Sequence, residues 1–303
     1  SYCQDIDIFA GPGGLGEGFS SYGFKGGHPF KPVLSIEKEP RAHETLTLRS
    51  FFRQFRHSGR PLPKEYYEHL RGNLTKDDLF NAWPDEAENA YGEAQLIELG
   101  GPRKEDDPGR VNDLLKKAVG GGRPWVLLGG PPCQAYSLVG RSRMGGISAD
   151  DPRVTLYKHY LWILANHKPA AFIFENVKGL ASSKLKDNLI FNDITSSLQN
   201  PAAHLEGDKN FKLTARGRTA SYRLFGLETP GNESADDWFS ENKLNLESAI
   251  IRTERHGIPQ ARHRIIILGI RTDLGDTAPP KLALEDAVPL ERVLDDLPRL
   301  RSG

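Results

Sequence analysis

Cysteine is scarce in this chain: two in 303 residues, Cys3 and Cys133. They lie far apart and neither belongs to a Cys-x-x-Cys pair, which argues against a zinc site or a disulfide framework. Net charge is absent as well, since Lys and Arg total 40 and so do Asp and Glu. A compact DNA-binding domain is more often basic. A neutral chain that handles nucleic acid must group its basic residues on one face, or leave part of that surface to a segment it lacks. No apolar run reaches the roughly eighteen residues that a membrane span needs. The opening SYCQDIDIFAGPGG has no basic region followed by a long apolar stretch, so no signal peptide is expected. Repeats and low-complexity tracts are missing too. These absences point to an intracellular, cytoplasmic protein. Its length is enough for one large domain or two small ones with a sizeable core.

What is present begins with alternating elements. The pattern predicts a strand at Ile6–Phe9, a glycine-rich turn, a helix near Leu15–Ser21, a second strand at Pro32–Glu37 and a helix over Arg41–Phe52. That order opens an α/β parallel sheet. Residues 53–122 are polar and broken by Gly and Pro, and read as an insertion at the surface. Within them, AQLIELG (94–100) is a candidate third strand and Val111–Val119 a helix. Order returns with a strand at Trp125–Leu128 leading into GGPPCQAYS. A glycine-bearing polar loop, residues 137–151, is expected to move. A helix over Leu156–Asn166, a buried strand over 170–177 and a helix over Lys186–Leu198 follow. Residues 199–245 read as a second insertion, with strand-like FKLTARG and SYRLFGL. Residues 246–271 give two apolar runs flanking a basic turn, a hairpin. The architecture expected is a Rossmann-like, mostly parallel sheet with helices on both faces and its ligand at the carboxyl ends of the strands.

Candidate site residues gather at those ends. Gly11, Gly13, Gly14 and Gly16 follow the first strand directly, and glycines let the backbone turn sharply and approach a ligand. Glu37 ends the next strand, where an acidic side chain takes ribose hydroxyls. The same spacing also suits a tight turn that holds nothing. NAD and S-adenosylmethionine both carry adenosine. Glu17, in the first helical turn, would repel a pyrophosphate and tilts the choice to S-adenosylmethionine. Cys133 sits on a loop stiffened by Pro131 and Pro132. As a thiolate it would be a nucleophile; a small buried hydrophobe in a turn is the equally weighted alternative. Glu175 ends the strand AFIF, where partial desolvation raises a carboxyl pKa and makes a proton donor, and Asn176 beside it can brace the loop. In GIPQARHR, alternation would direct Gln260, Arg262 and Arg264 to one face. Two guanidiniums there suit a nucleobase carbonyl or phosphates, or serve as a solvated basic edge. His256 and His263 flank this turn without a third ligand nearby, so no metal is expected.

Taken together, DIFAGPGGLGEGF, VLSIEKEP, GGPPCQAYS, FIFENVKGL and GIPQARHRIIILGIR resemble, in order, the motifs of the cytosine-5 DNA methyltransferase family. The resemblance implies an S-adenosylmethionine-dependent methyltransferase fold and one catalytic domain across 1–303. It implies Cys133 as the nucleophile on a cytosine flipped out of double-stranded DNA, Glu175 as the group that holds and protonates ring N3, Arg264 at the cytosine O2 and Arg262 behind the covalent intermediate. Phe9 would stack on adenine, Gly11, Gly13 and Gly14 would line the cofactor pocket, Glu37 and Lys38 would meet the ribose, and Pro132 and Leu156 the methionine end. Gln134, Ser137, Asn176 and Gln260 would touch the substrate, and the loop bearing Arg141 and Arg143 would close over it. Such enzymes serve DNA methylation, including restriction-modification. Two family features are missing. No residue after the third strand clearly matches the acid that contacts the adenine amino group, Glu98 being the nearest. A target-recognition domain and a final helix and strand do not follow, so a longer enzyme, or a partner chain carrying that part, is expected. Three other readings compete. An RNA-directed relative is disfavoured by Ser137. A non-catalytic partner would not need Cys133, Glu175, Arg262 and Arg264 together. An NAD-dependent dehydrogenase leaves GGPPCQAYS and FENV without a role.

Overall fold

A computed structural model describes residues 2–120, 122–132, 152–178, 186–229 and 244–297. Five strands run parallel: β1 (Cys3–Ile8), β2 (Phe30–Glu37), β3 (Ala94–Leu96), β4 (Trp125–Gly129) and β5 (Ala171–Val177). Three more, β6 (Tyr222–Gly226), β7 (Ile250–Arg252) and β8 (His263–Arg271), add an antiparallel wing. The order is β3-β2-β1-β4-β5-β8-β6, with β7 also paired to β8. The Rossmann-like α/β sheet read from the sequence is present.

The parallel strands are buried on both faces, which is why most read as continuous apolar runs. β1 is different. Its Ile6 and Ile8 enter the main core with Val111 and Leu115 of α6 (Pro108–Ala118) and with Tyr160 and Leu164 of α7 (Pro152–His167). Its alternate residues, Asp5 and Asp7, are buried carboxylates on the opposite face. There α1 (Gly14–Ser21) and α2 (Pro40–Ser58) supply Glu17 and Arg53, and Glu93 comes from a helix described below. Arg53 is 1% exposed and pairs with Glu93 and with Glu17, the latter at 3.2 Å; Arg56 reaches Glu17 at 2.6 Å. Ser50 and Ser35 donate to Glu93 at 2.5 and 3.4 Å.

Burial pushes the Asp7 carboxyl up to about 7, against the opposing pull of the Gly16 N–H and Arg53. Between the ordinary carboxylate value and 7, the folded chain keeps a proton that the unfolded chain has released. Stability therefore falls as pH rises through that window, by at most ~4 kcal/mol if Asp7 acts alone. Asp7→Asn keeps an acceptor for Gly16 and removes the charge. The variant is expected to show a flatter stability profile between pH 4 and 8 and a higher unfolding temperature at pH 8. A thermal-unfolding series with an unchanged slope would show that Asp7 does not carry the linkage.

Two sequence expectations need correction. The segment after Phe52 is more than surface elaboration. α2 continues to Ser58, where Gly59 (φ 66°) ends it, and α3 (Lys64–Leu70), α4 (Lys76–Ala82) and α5 (Pro84–Glu93) follow. Phe51, Phe55, Leu79, Phe80, Ala87 and Ala90 form a second core among them. FKLTARG is not a strand. Asn166 accepts from Thr214 N at 2.8 Å and donates to the Lys212 carbonyl at 3.1 Å, and Trp162 Nε1 donates to that same carbonyl at 3.0 Å. The Lys212 carbonyl and the Thr214 N–H are thus satisfied by α7 side chains rather than by a ladder. The helix after β5, α8 (Lys186–Gln199), lies where expected. No helix among the described residues is long and apolar enough to cross a membrane.

Candidate active site at the carboxyl edge of the sheet

β1, β2, β4 and β5 all end on one edge, and β8, running the other way, begins there: Val177 pairs with Arg264. The glycine turn leaves β1 through Phe9, whose φ of 58° is left-handed, then Gly11 (56°) and Gly13 (87°). At Gly13 a Cβ would lie 2.7 Å from Leu46 Cδ1, so the turn sits directly on α2. Gly11 and Gly14 have nothing within 4 Å of a built Cβ. The carboxylate of Glu37 spans the turn, accepting from Gly11 N and from Glu39 N, both at 2.7 Å. Each oxygen keeps further acceptor capacity. Open space over two glycines, beside an acidic side chain and a half-buried aromatic ring, fits an adenosine-bearing cofactor. Lys38 and Glu98 form an exposed pair at 3.1 Å on the same rim. Glu98 N is held by the buried Asp106 at 2.8 Å.

Two features of this turn were not legible beforehand. Asp7 Oδ2 accepts from Gly16 N at 3.2 Å and ties α1 to β1; the signal was a pair of acids inside a buried strand. Glu17 is compensated by Arg53 and Arg56, so its charge no longer weighs against a phosphate.

One strand over, β4 ends in Gly129 and passes through Gly130 and Pro131 to the exposed Pro132. At Gly130 a Cβ would meet Glu175 Oε2 at 2.7 Å and the Glu175 carbonyl at 2.9 Å, so a residue without a side chain lets Glu175 lie against this segment. Asn176, buried, donates to the Pro131 carbonyl at 2.9 Å and braces it. Burial pushes the Glu175 carboxyl up, and Arg264 and Arg262 pull it back without cancelling the rise. Arg264 Nε lies 3.0 Å from Glu175 Oε1, an ion pair whose N–H is not aimed along a hydrogen bond. The site therefore brings together a carboxyl that holds its proton more tightly than usual, one cation paired with it, Arg264, and a second, exposed cation near it, Arg262, a set able to grip and protonate an acceptor-rich planar ring.

The alternation expected for Gln260, Arg262 and Arg264 does not hold. β8 starts at His263, and Gly257 (φ 71°) turns the chain before it. Gln260 and Arg262 lie in a compact turn closed by Gln260 N to the Ile258 carbonyl at 2.8 Å and Arg262 N to the Gln260 carbonyl at 2.9 Å. Arg264 alone is in the strand. Leu156 is half-buried against the main core on α7. Cys133, Gln134, Ser137, Arg141 and Arg143 lie outside the described residues. Among the described residues no group of three His, Cys, Asp or Glu could hold a metal ion. His256 instead meets the buried Glu228 at 2.9 Å, and His263 meets Glu254 at 2.7 Å.

A family model described as C-5 cytosine-specific DNA methylase matches residues 111–201. The type II methyltransferase M.Bpa9945I of Bacillus paralicheniformis is 29% identical over 98% of this chain and 61% of its own length. DNA (cytosine-5-)-methyltransferase M.ApeKI of Aeropyrum pernix is 29% identical over 57% of this chain and 34% of its own. Among solved structures, a protein assigned as a DNA modification methyltransferase encoded within an E. coli prophage covers 98% of this chain and 56% of that one, at 18% identity and a TM-score of 0.51; that likeness is one of fold. The chain spans less than two thirds of the length of these relatives.

Proposed function

We propose, from the match of residues 111–201 to the C-5 cytosine-specific DNA methylase model and from the likeness to type II methyltransferases, that the chain is a cytosine-5 DNA methyltransferase and carries the catalytic machinery for methylating carbon 5 of cytosine in double-stranded DNA. One observation carries the reading: Glu175, paired with Arg264 at 3.0 Å, shares a sheet edge with the Gly11–Gly14 turn and with the Gly130–Pro132 segment that leads to Cys133.

Phe9, Gly11, Gly13, Gly14, Glu37, Lys38, Pro132 and Leu156 would hold S-adenosylmethionine, which when bound would supply the methyl group. The target cytosine is flipped from the stack and received by Gln134, Ser137, Asn176 and Gln260. The Cys133 thiolate forms a bond to carbon 6, and the electron pair of the 5,6 double bond moves toward carbon 5 and the ring. Glu175 donates its proton to N3, so negative charge does not accumulate. Arg264 holds O2 and Arg262 backs the adduct. With carbon 5 methylated, the demethylated thioether would leave; carbon 5 then loses its proton to a base, that electron pair re-forms the 5,6 double bond as the sulfur–carbon 6 bond breaks to return the Cys133 thiolate, and N3 gives its proton back to Glu175.

The cofactor assignment is tested by titration calorimetry of the chain with S-adenosylmethionine and, separately, with NAD. Saturable heat with the first and none with the second is the expected result. Binding of NAD alone overturns the assignment; binding of neither shows that a further segment or a partner chain is needed to complete the pocket.

A further inference from the structure

Glu228 is fully buried two residues beyond β6, and the catalytic reading gives it no part. It is held in place from its own backbone, with its N–H donating to the Ser248 carbonyl at 2.9 Å. Its carboxylate meets two side chains of one short segment, Arg255 Nη1 at 2.9 Å and His256 Nε2 at 2.9 Å. Arg252 N, in the same segment, approaches at 3.4 Å. A buried carboxylate is costly unless cations compensate it, so residues 252–256 are held over it.

That segment opens the turn that carries the arginines. Thr253 closes the turn: its hydroxyl donates to the Gln260 carbonyl, lies 3.1 Å from the Arg262 carbonyl and accepts from Arg262 N at 3.1 Å. Thr253 O accepts from Ile258 N at 3.3 Å. Arg264 follows two residues on, paired across the sheet with Ile251 on one side and Val177 on the other, and its guanidinium meets Glu175 at 3.0 Å. The path runs from Glu228 by contact to Arg255 and His256, along one helical turn of chain to Thr253, by hydrogen bond to the Arg262 backbone, and two residues along the chain to Arg264, whose guanidinium meets Glu175. His256 extends the clamp by its other nitrogen, 2.7 Å from the Ala283 carbonyl.

We infer that Glu228 is a positioning residue: it anchors the turn that sets Arg262 and Arg264 against Glu175. It touches neither substrate nor cofactor. The inference rests on the methyltransferase reading only for what Glu175 does; the geometric coupling stands apart from it.

The readout is the titration of the Glu175 carboxyl itself, followed by ¹³C NMR in the whole chain and assigned by its loss in Glu175→Gln. Glu228→Gln keeps the size and removes the charge that faces Arg255 and His256. Thr253→Val keeps the branched shape and removes the hydroxyl that closes the turn. In both, the arginines are released and Glu175 is expected to titrate higher by about one pH unit, as when an opposite charge leaves a carboxylate. Glu228→Asp should restore part of the difference. Glu247→Gln, which breaks only the Arg252–Glu247 pair at 2.6 Å, should change nothing. A Glu175 titration at the wild-type value in Thr253→Val, or in folded Glu228→Gln, overturns the inference, as does an equal shift in Glu247→Gln. If Glu228→Gln does not fold, Thr253→Val carries the test. Failure of the methyltransferase reading would appear in DNA trapping and leave this titration unaffected.

Discussion

Glu175→Gln is expected to slow methyl transfer to DNA by about 10²–10⁴-fold, the contribution of one positioned proton donor, with the fold retained. The substitution preserves volume where volume matters, since Glu175 lies against Gly130 with no room for a Cβ there. What it removes is the proton. Burial holds the Glu175 proton more tightly than in an exposed glutamate, and Arg264 and Arg262 moderate that hold. A glutamine amide can donate a hydrogen bond to ring N3 but cannot transfer a proton to it. The two enzymes should therefore differ in pH dependence as well as in rate. Wild-type single-turnover rates should fall as pH rises through the raised Glu175 value, while the variant should lack that limb. A variant as fast as wild type would remove Glu175 from the mechanism.

Cys133→Ser is expected to abolish covalent trapping on DNA containing 5-fluorocytosine, while S-adenosylmethionine binds within a few-fold of wild type. The thiolate is the attacking species, and a serine hydroxyl in the same place lacks a comparable population of anion. Of the residues proposed to hold the cofactor, Phe9, Gly11, Gly13, Gly14, Glu37 and Lys38 lie at the ends of β1 and β2 and in the turns that follow them, and Pro132 alone is on the segment after β4 that leads to Cys133, so the pocket should survive. Denaturing electrophoresis of the enzyme–DNA mixture reads the result directly. A stable adduct formed by the serine variant would refute the nucleophile.

Much of the scaffold was legible because its signals are local. A strand, a glycine turn and a helix are adjacent in DIDIFAGPGGLGEGF, and a left-handed turn such as that at Gly13 (φ 87°) favours glycine. The buried strands at Trp125–Gly129 and Ala171–Val177 read as apolar runs because helices cover both faces. The helices between Phe52 and Ala94 were illegible for the opposite reason. Their apolar residues are sparse among charges, and they fold by sharing one small core around Phe51 and Phe80 rather than by an amphipathic stripe each. The alternation read into GIPQARHR failed because periodicity cannot tell a strand from a turn that has the same spacing; Gly257 and the Thr253 hydroxyl decide it.

By itself the sequence determined the order of the elements, the glycine turn, and the residue types brought to one sheet edge, because each depends on neighbours within a few positions along the chain. Only the tertiary structure decided the electrostatics. Glu17 reads as a lone acid at a helix start until Arg53 and Arg56 arrive from thirty-odd residues away. Asp5 and Asp7 read as a polar strand until both prove buried. Glu228 has no sequence signal at all and becomes an anchor only when Arg255 and His256 fold over it. The cost of a buried charge depends on which counter-charges surround it in space, and that information is distributed over the whole fold.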